Sequence, residues 1–183
     1  MNKQLEKLAM QHNRFGDGDF KDFSKELSKH PSLTYLDISQ NRVHCKDFVK
    51  IFNAIQSKEC RVRTFHCRKN LIGGPRIDEA LNSRSLHLQV LDLSQNRLND
   101  TNGLALESYA KENVSIERIE LNKNMEVSAS IINAIEDECR QNILIKKKIL
   151  SKMRLAEHTG YQHTVYGDES YKLYDTSELV LEN

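Results

Sequence analysis

The chain has 183 residues, 38% of them hydrophobic and 29% charged, with a net charge of +1. That length suits one domain with a core of its own. The near-neutral balance lacks the basic excess of nucleic-acid binders, so no nucleic acid is expected as a partner. No run approaches the roughly 18 apolar residues of a membrane span, and the opening MNKQLEKLAMQHN has no signal-peptide stretch, so no membrane insertion is expected either.

A nine-residue pattern, Leu-x-x-Leu-x-Leu-x-x-Asn, occurs five times: LEKLAMQHN from Leu5, LTYLDISQN from Leu33, VRTFHCRKN from Val62, LQVLDLSQN from Leu88 and IERIELNKN from Ile116. The copies stand 26 to 29 residues apart. Repetition at such a period predicts a solenoid, in which each unit buries its apolar face against its neighbours. Within a copy, residues such as Leu91 and Leu93 alternate and predict a short strand facing the core. The closing asparagines Asn13, Asn41, Asn70, Asn96 and Asn124 are expected to stack as a ladder. An amide side chain can both donate to and accept from the backbone of a buried turn.

A helical stripe follows each asparagine. In chain order the stripes are Phe20, Phe23 and Leu27; Phe48, Ile51, Phe52 and Ile55; Ile77, Ala80 and Leu81; Leu106 and Ala110; and Ile131, Ile132, Ile135 and Cys139. Gly73-Gly74-Pro75 marks the third unit as the least regular. In the fifth, Glu126 stands where an apolar residue belongs, and a one-residue shift to Val127 is expected. Residues 142–160, beginning NILIKKKILSKMRLAEH, predict a C-terminal capping helix with Ile145, Ile149 and Met153 on one side. Lys146, Lys147, Lys148, Lys152 and Arg154 give it the strongest basic cluster in the chain. Residues 161–183 read as an extended tail carrying Tyr161, Tyr166, Tyr171 and Tyr174, with five acids against one lysine. The domain organisation is therefore repeats over 1–141, the capping helix over 142–160 and an acidic, tyrosine-rich tail over 161–183.

Strand plus helix at this period resembles the ribonuclease-inhibitor-like class of leucine-rich repeats, over roughly residues 5 to 140. Gly18 and Gly103 fall near the glycine that precedes the helix in that class. The resemblance implies an α/β solenoid, a horseshoe arc with a parallel concave sheet and convex helices. No capping segment precedes Leu5, so the chain is expected to be a fragment or to have that end covered by a partner. Four cysteines, Cys45, Cys60, Cys67 and Cys139, show no paired spacing, and a reducing intracellular setting follows. Cys67 and Cys139 read as core residues, and neither His44-Cys45 nor His66-Cys67 is taken as a metal site.

Side chains alternating with the core leucines line the concave face. Its middle column is Ala9, Asp37, His66, Asp92 and Glu120, with Lys7, Tyr35, Thr64, Val90 and Arg118 on one flank and Gln11, Ser39, Arg68, Ser94 and Asn122 on the other. Tyr35, Asp37, His66, Arg68, Asp92, Arg118 and Glu120 are the candidate partner-binding residues, with the four tail tyrosines as a second set. Asp37, Asp92 and Glu120 are not read as an acid–base pair, and no catalytic residue, metal or cofactor is predicted. Arg14, Arg42 and Arg97 follow the asparagines as a ridge that Asp17, Asp47 and Asp100 could neutralise. The expected function is a non-catalytic protein–protein interaction module, a scaffold or regulatory subunit of an intracellular assembly with the cytoskeleton and the cilium as candidate settings. No homo-oligomer is predicted. The alternative is a GTPase-activating protein of the Ran-activator kind, which shares this repeat class.

Overall fold

The computed structural model describes residues 2–16, 18–81 and 87–158, with side chains to residue 154. The chain divides into two compact units, Met1–Ile143 and Leu144–Asn183. The first holds five short strands, β1 (Lys7–Ala9), β2 (Tyr35–Asp37), β3 (Thr64–His66), β4 (Val90–Asp92) and β5 (Arg118–Glu120). They form one parallel sheet in sequence order. Between them run α1 (Phe20–Leu27), α2 (Cys45–Ile55), α3 (Ile77–Leu81) and α4 (Asp100–Glu112); α5 (Ala129–His158) follows β5. Each strand is only three residues long, so the repeat's leucines rather than strand length hold the sheet. Leu36, Phe65, Leu91 and Ile119 lie side by side in register and are buried against the helices. A solenoid made this way has one continuous core, built from nearest neighbours.

The asparagine ladder gives that core its polar spine. Asn41 Oδ1 accepts from Asn13 N and Phe15 N, and its Nδ2 donates to Met10 O and Ile38 O. Asn96 accepts from Ile72 N and donates to Cys67 O and Leu93 O; Asn124 accepts from Asn96 N and Leu98 N and donates to Leu93 O and Leu121 O. Each of these rungs therefore satisfies backbone groups of the turn before it, which would otherwise be buried unpaired. To aim the asparagine inward, the residue preceding it takes a left-handed conformation: His12, Gln40, Lys69, Gln95 and Lys123 all have φ between 54° and 61°. A left-handed non-glycine residue costs about 1–2 kcal/mol. The backbone bonds closed by each inner asparagine more than offset it.

The helices follow their stripes. Phe48, Ile51, Phe52 and Ile55 of α2 are fully buried, as are Leu106 and Ala110 of α4. Asn99 caps α4 by accepting from Asn102 N, while the Asn102 side chain accepts from Asn99 N. The third unit is the least regular, with a helix of five residues. In the fifth, Val127 is buried and Glu126 exposed, so the one-residue shift occurs.

One expectation changes. Gly103 does not precede a helix; it lies inside α4, where an added Cβ would sit 2.7 Å from Ile131 Cγ2, so its bareness admits α5. Gly18, at φ 90°, does stand in the turn before α1. The helix expected from residue 142 is continuous with the helical stripe of the fifth unit, because no glycine or proline interrupts residues 129–158, and the two compact units part at 143/144. Asn142 is buried on that helix and donates to Ala110 O, Asn113 O and Ile116 O. One amide thus ties α5 to the carbonyls that end α4 and lead into β5.

Candidate functional site

The sheet face turned away from the helices carries the expected columns in register. Lys7, Tyr35, Thr64, Val90 and Arg118 align across the five strands, as do Ala9, Asp37, His66, Asp92 and Glu120. The period-two alternation of a strand puts both columns opposite the buried leucines. Tyr35 and His66 lie with ring centroids 5.4 Å apart.

The acids on this face are engaged within the chain. Asp37 is 8% exposed, far less than a partner-facing carboxylate would be. Its Oδ2 accepts from Gln11 Nε2 at 2.7 Å and from Tyr35 Oη at 3.3 Å, and its Oδ1 accepts from Ser39 N at 2.8 Å. Burial, together with the Asp37 charge and this hydrogen bond, raises the Tyr35 phenol above its usual pKa. Asp92 Oδ1 accepts from Ser94 N at 2.8 Å, and its Oδ2 lies 3.5 Å from His66 Nδ1. Burial pushes the Asp92 carboxyl up, but the bonds from His66 and Ser94 outweigh it and hold the pKa below the ordinary value. Glu120 pairs with Arg118 Nε at 3.4 Å and accepts from Asn122 Nδ2 at 3.2 Å. Asp37 and Asp92 thus act alike, each fastening the backbone amide two residues on, at the start of the asparagine turn.

The cations at the turn end of the strands are arranged differently. Arg14, Arg42, Arg68, Lys69, Arg97 and Lys123 are all exposed. None makes an ion pair among the described residues. The neutralisation that the neighbouring aspartates could provide does not occur at the two that are described. Asp47 is buried, accepting from Gly18 N at 3.2 Å and pairing with Lys50 at 2.9 Å; Asp100 accepts from Ser128 N at 2.6 Å. Asp17 lies outside the described residues. Lys69 and Lys123 were not singled out from the sequence, although both sit one place before a ladder asparagine and their left-handed backbone carries them onto the rim. Tyr161, Tyr166, Tyr171 and Tyr174 also lie outside the described residues.

A cleft of about 220 Å³ opens beside β5, lined by Glu117, Arg118, Ile119, Glu120, Glu136, Cys139 and Arg140. Burial raises the Cys139 thiol to about 11, which keeps it protonated near neutral pH and denies it the thiolate a nucleophile needs. Cys67, wholly buried just after β3, is pushed up as well, chiefly by burial. Among the described residues no group of three or more His, Cys, Asp or Glu could hold a metal ion, and no helix is long and apolar enough to cross a membrane.

A parallel sheet of single-repeat strands, a buried asparagine at the inner turns and one helix per unit define the class: the chain is a leucine-rich-repeat protein. The family model described as "Leucine Rich repeat" matches residues 84–106, the fourth copy. The helix in each unit is compatible with the ribonuclease-inhibitor-like class. No curated protein matches the chain in sequence. Among solved structures, the chain is similar to leiomodin-1 actin-binding site 2, with a TM-score of 0.70 at 13% identity over 85% of this chain and 91% of that one. It is also similar to the tropomodulin C-terminal domain of Caenorhabditis elegans, with a TM-score of 0.62 at 10% identity over 83% and 91%. At these identities the likeness is one of architecture.

Proposed function

We propose that the chain is a non-catalytic protein-interaction module, a scaffold or regulatory subunit of a larger intracellular assembly, that receives an acidic protein surface along its turn rim. The observation that carries this reading is the division of charge: the acids of the sheet face are spent on the fold, while six rim cations have no ion-pair partner among the described residues. A surface whose anions are engaged and whose cations are not presents positive charge to whatever docks. Tyr35 and His66 add an aromatic patch beside it, and Arg68 and Arg118 are the arginines placed to anchor a partner.

The setting we infer is the cytoskeleton, and the first partner to test is actin. Leiomodin-1 carries this architecture in a segment named as an actin-binding site, which supports the choice. Co-sedimentation with actin filaments and native electrophoresis with monomeric actin are the assays. The wild-type chain binds one or both, and Arg68→Glu/Arg97→Glu weakens binding about tenfold or more. Stability should move by no more than about 0.5 kcal/mol, because both side chains are exposed. Retention of full binding by that variant would remove the rim from the reading. GTP hydrolysis by small GTPases tests the alternative: acceleration by the chain would replace the scaffold with a GTPase activator.

A further inference from the structure

Residues 144–154 of α5 form a second surface of different chemistry. Leu144, Leu150 and Met153 are each about half exposed, an unusual concentration of large apolar side chains in contact with solvent. Ile145 and Ile149 are partly exposed. At 100° per residue, Ile145, Ile149 and Met153 fall within an arc of about 80°, with Lys152 just outside one border and Lys146 just outside the other. No acid occurs between residues 139 and 156, and Lys147, Lys148 and Lys152 have no ion pair among the described residues.

The width of the stripe decides what it fits. A helix lying on a membrane or against a broad core presents an apolar face of roughly 100° or more. The line of Ile145, Ile149 and Met153 is narrower, contains no aromatic residue and has a lysine at each border, with Leu150 beyond Lys146 and Leu144 towards the far side of the helix. That is the geometry of a two-helix seam, where apolar residues meet along a line and flanking charges choose the partner.

We propose that this segment docks an acidic amphipathic helix of a partner protein. The inference rests on the reading of the chain as an interaction module, but it uses none of the rim residues. The partner helix places its apolar residues against Ile145, Ile149 and Met153 and its carboxylates against the flanking lysines.

The test uses the full-length chain and a fluorescein-labelled three-heptad peptide with leucine at positions a and d and glutamate at e and g. A second peptide carries lysine at e and g. Fluorescence anisotropy should show the glutamate peptide binding at least about tenfold more tightly than the lysine peptide. Raising the salt should narrow that preference. Lys148→Glu/Lys152→Glu, both at exposed positions on one flank of the stripe and checked by circular dichroism for an intact helix, should abolish or reverse it. Arg68→Glu/Arg97→Glu should leave it unchanged, so that failure at the rim and failure here are told apart. Equal binding of the two peptides overturns the proposal. So does displacement of the probe by a synthetic peptide of residues 161–183, which would make the chain's own tail the occupant. Flotation with phosphatidylserine vesicles that depends on these lysines and is not competed by the glutamate peptide would make the occupant a membrane. Self-association lost in Ile149→Gln would make it a second copy of this chain.

Discussion

The first and fifth repeats share one nine-residue pattern and are held in opposite ways. In the first, Leu8 is only partly buried and Asn13 is exposed, its side chain bonding to Gln11 O. Yet the turn that contains Asn13 is well secured, because Asn41 of the second repeat takes the Asn13 and Phe15 amides. In the fifth, Ile119 and Leu121 are buried and Asn124 closes four backbone bonds of the fourth and fifth units. Its own turn has no further repeat to supply an asparagine, and the amide of Asn124 falls back on Leu121 O. Ser128, further on, is held by Asp100. The repeat is thus directional. A copy contributes to stability through the neighbour before it and is completed by the neighbour after it.

Truncating equivalent residues tests this most strongly in the apolar layer. Ile119→Ala should cost roughly 2–5 kcal/mol, and Leu8→Ala about 1 kcal/mol, by urea denaturation. Equal losses would mean that the strand faces of the two repeats are equally covered. The ladder comes next: Asn124→Ala should cost about 3 kcal/mol by leaving buried backbone groups without partners, and Asn13→Ala less than about 0.5 kcal/mol. A large loss at Asn13 would show that the rung reaches something before it.

A smaller contrast lies in the glycines that let one turn rest on the next. An added Cβ at Gly73 would lie 2.2 Å from Arg97 O, and at Gly16 2.9 Å from Arg42 O. Gly73→Ala should therefore cost about 2–3 kcal/mol and Gly16→Ala about 1 kcal/mol, measured by thermal unfolding. The smallest effect is electrostatic. The folded pKa of Asp92 lies below its unfolded value of about 3.9, so the unfolded chain binds the proton more readily. The stabilisation is present above that pH and is lost as the pH falls through the folded pKa. Asp92→Asn should flatten that acid limb slightly. An unchanged acid limb would assign no stabilisation to the His66 and Ser94 bonds.

Strand positions, columns and ladder are legible in the sequence because one period imposes them all. Leu36, Phe65, Leu91 and Ile119 had to align once the copies were aligned. What escapes the pattern depends on geometry rather than on residue type. His12, Gln40, Lys69, Gln95 and Lys123 share a left-handed backbone but no common chemistry, so the sequence carries no mark of it. Asp37 and Asp92 look like surface acids until their bonds to Ser39 N and Ser94 N are seen. The sequence held a hint in the repeated Asp-x-Ser. Asn142 reads as one polar residue on a helix, and its three carbonyl partners belong to a unit some 26 to 32 residues earlier. The unpaired state of the rim cations was hidden for a related reason: adjacent acids in sequence were engaged with backbone amides instead.

The backward reach of the asparagines also sets the smallest piece of this chain that can fold cooperatively. A single repeat emerging during synthesis leaves its turn amides open until the next asparagine arrives. Two consecutive repeats close one turn completely, and each further repeat closes one more. Folding therefore advances in overlapping pairs, with every newly made unit acting as the lock on the one already in place.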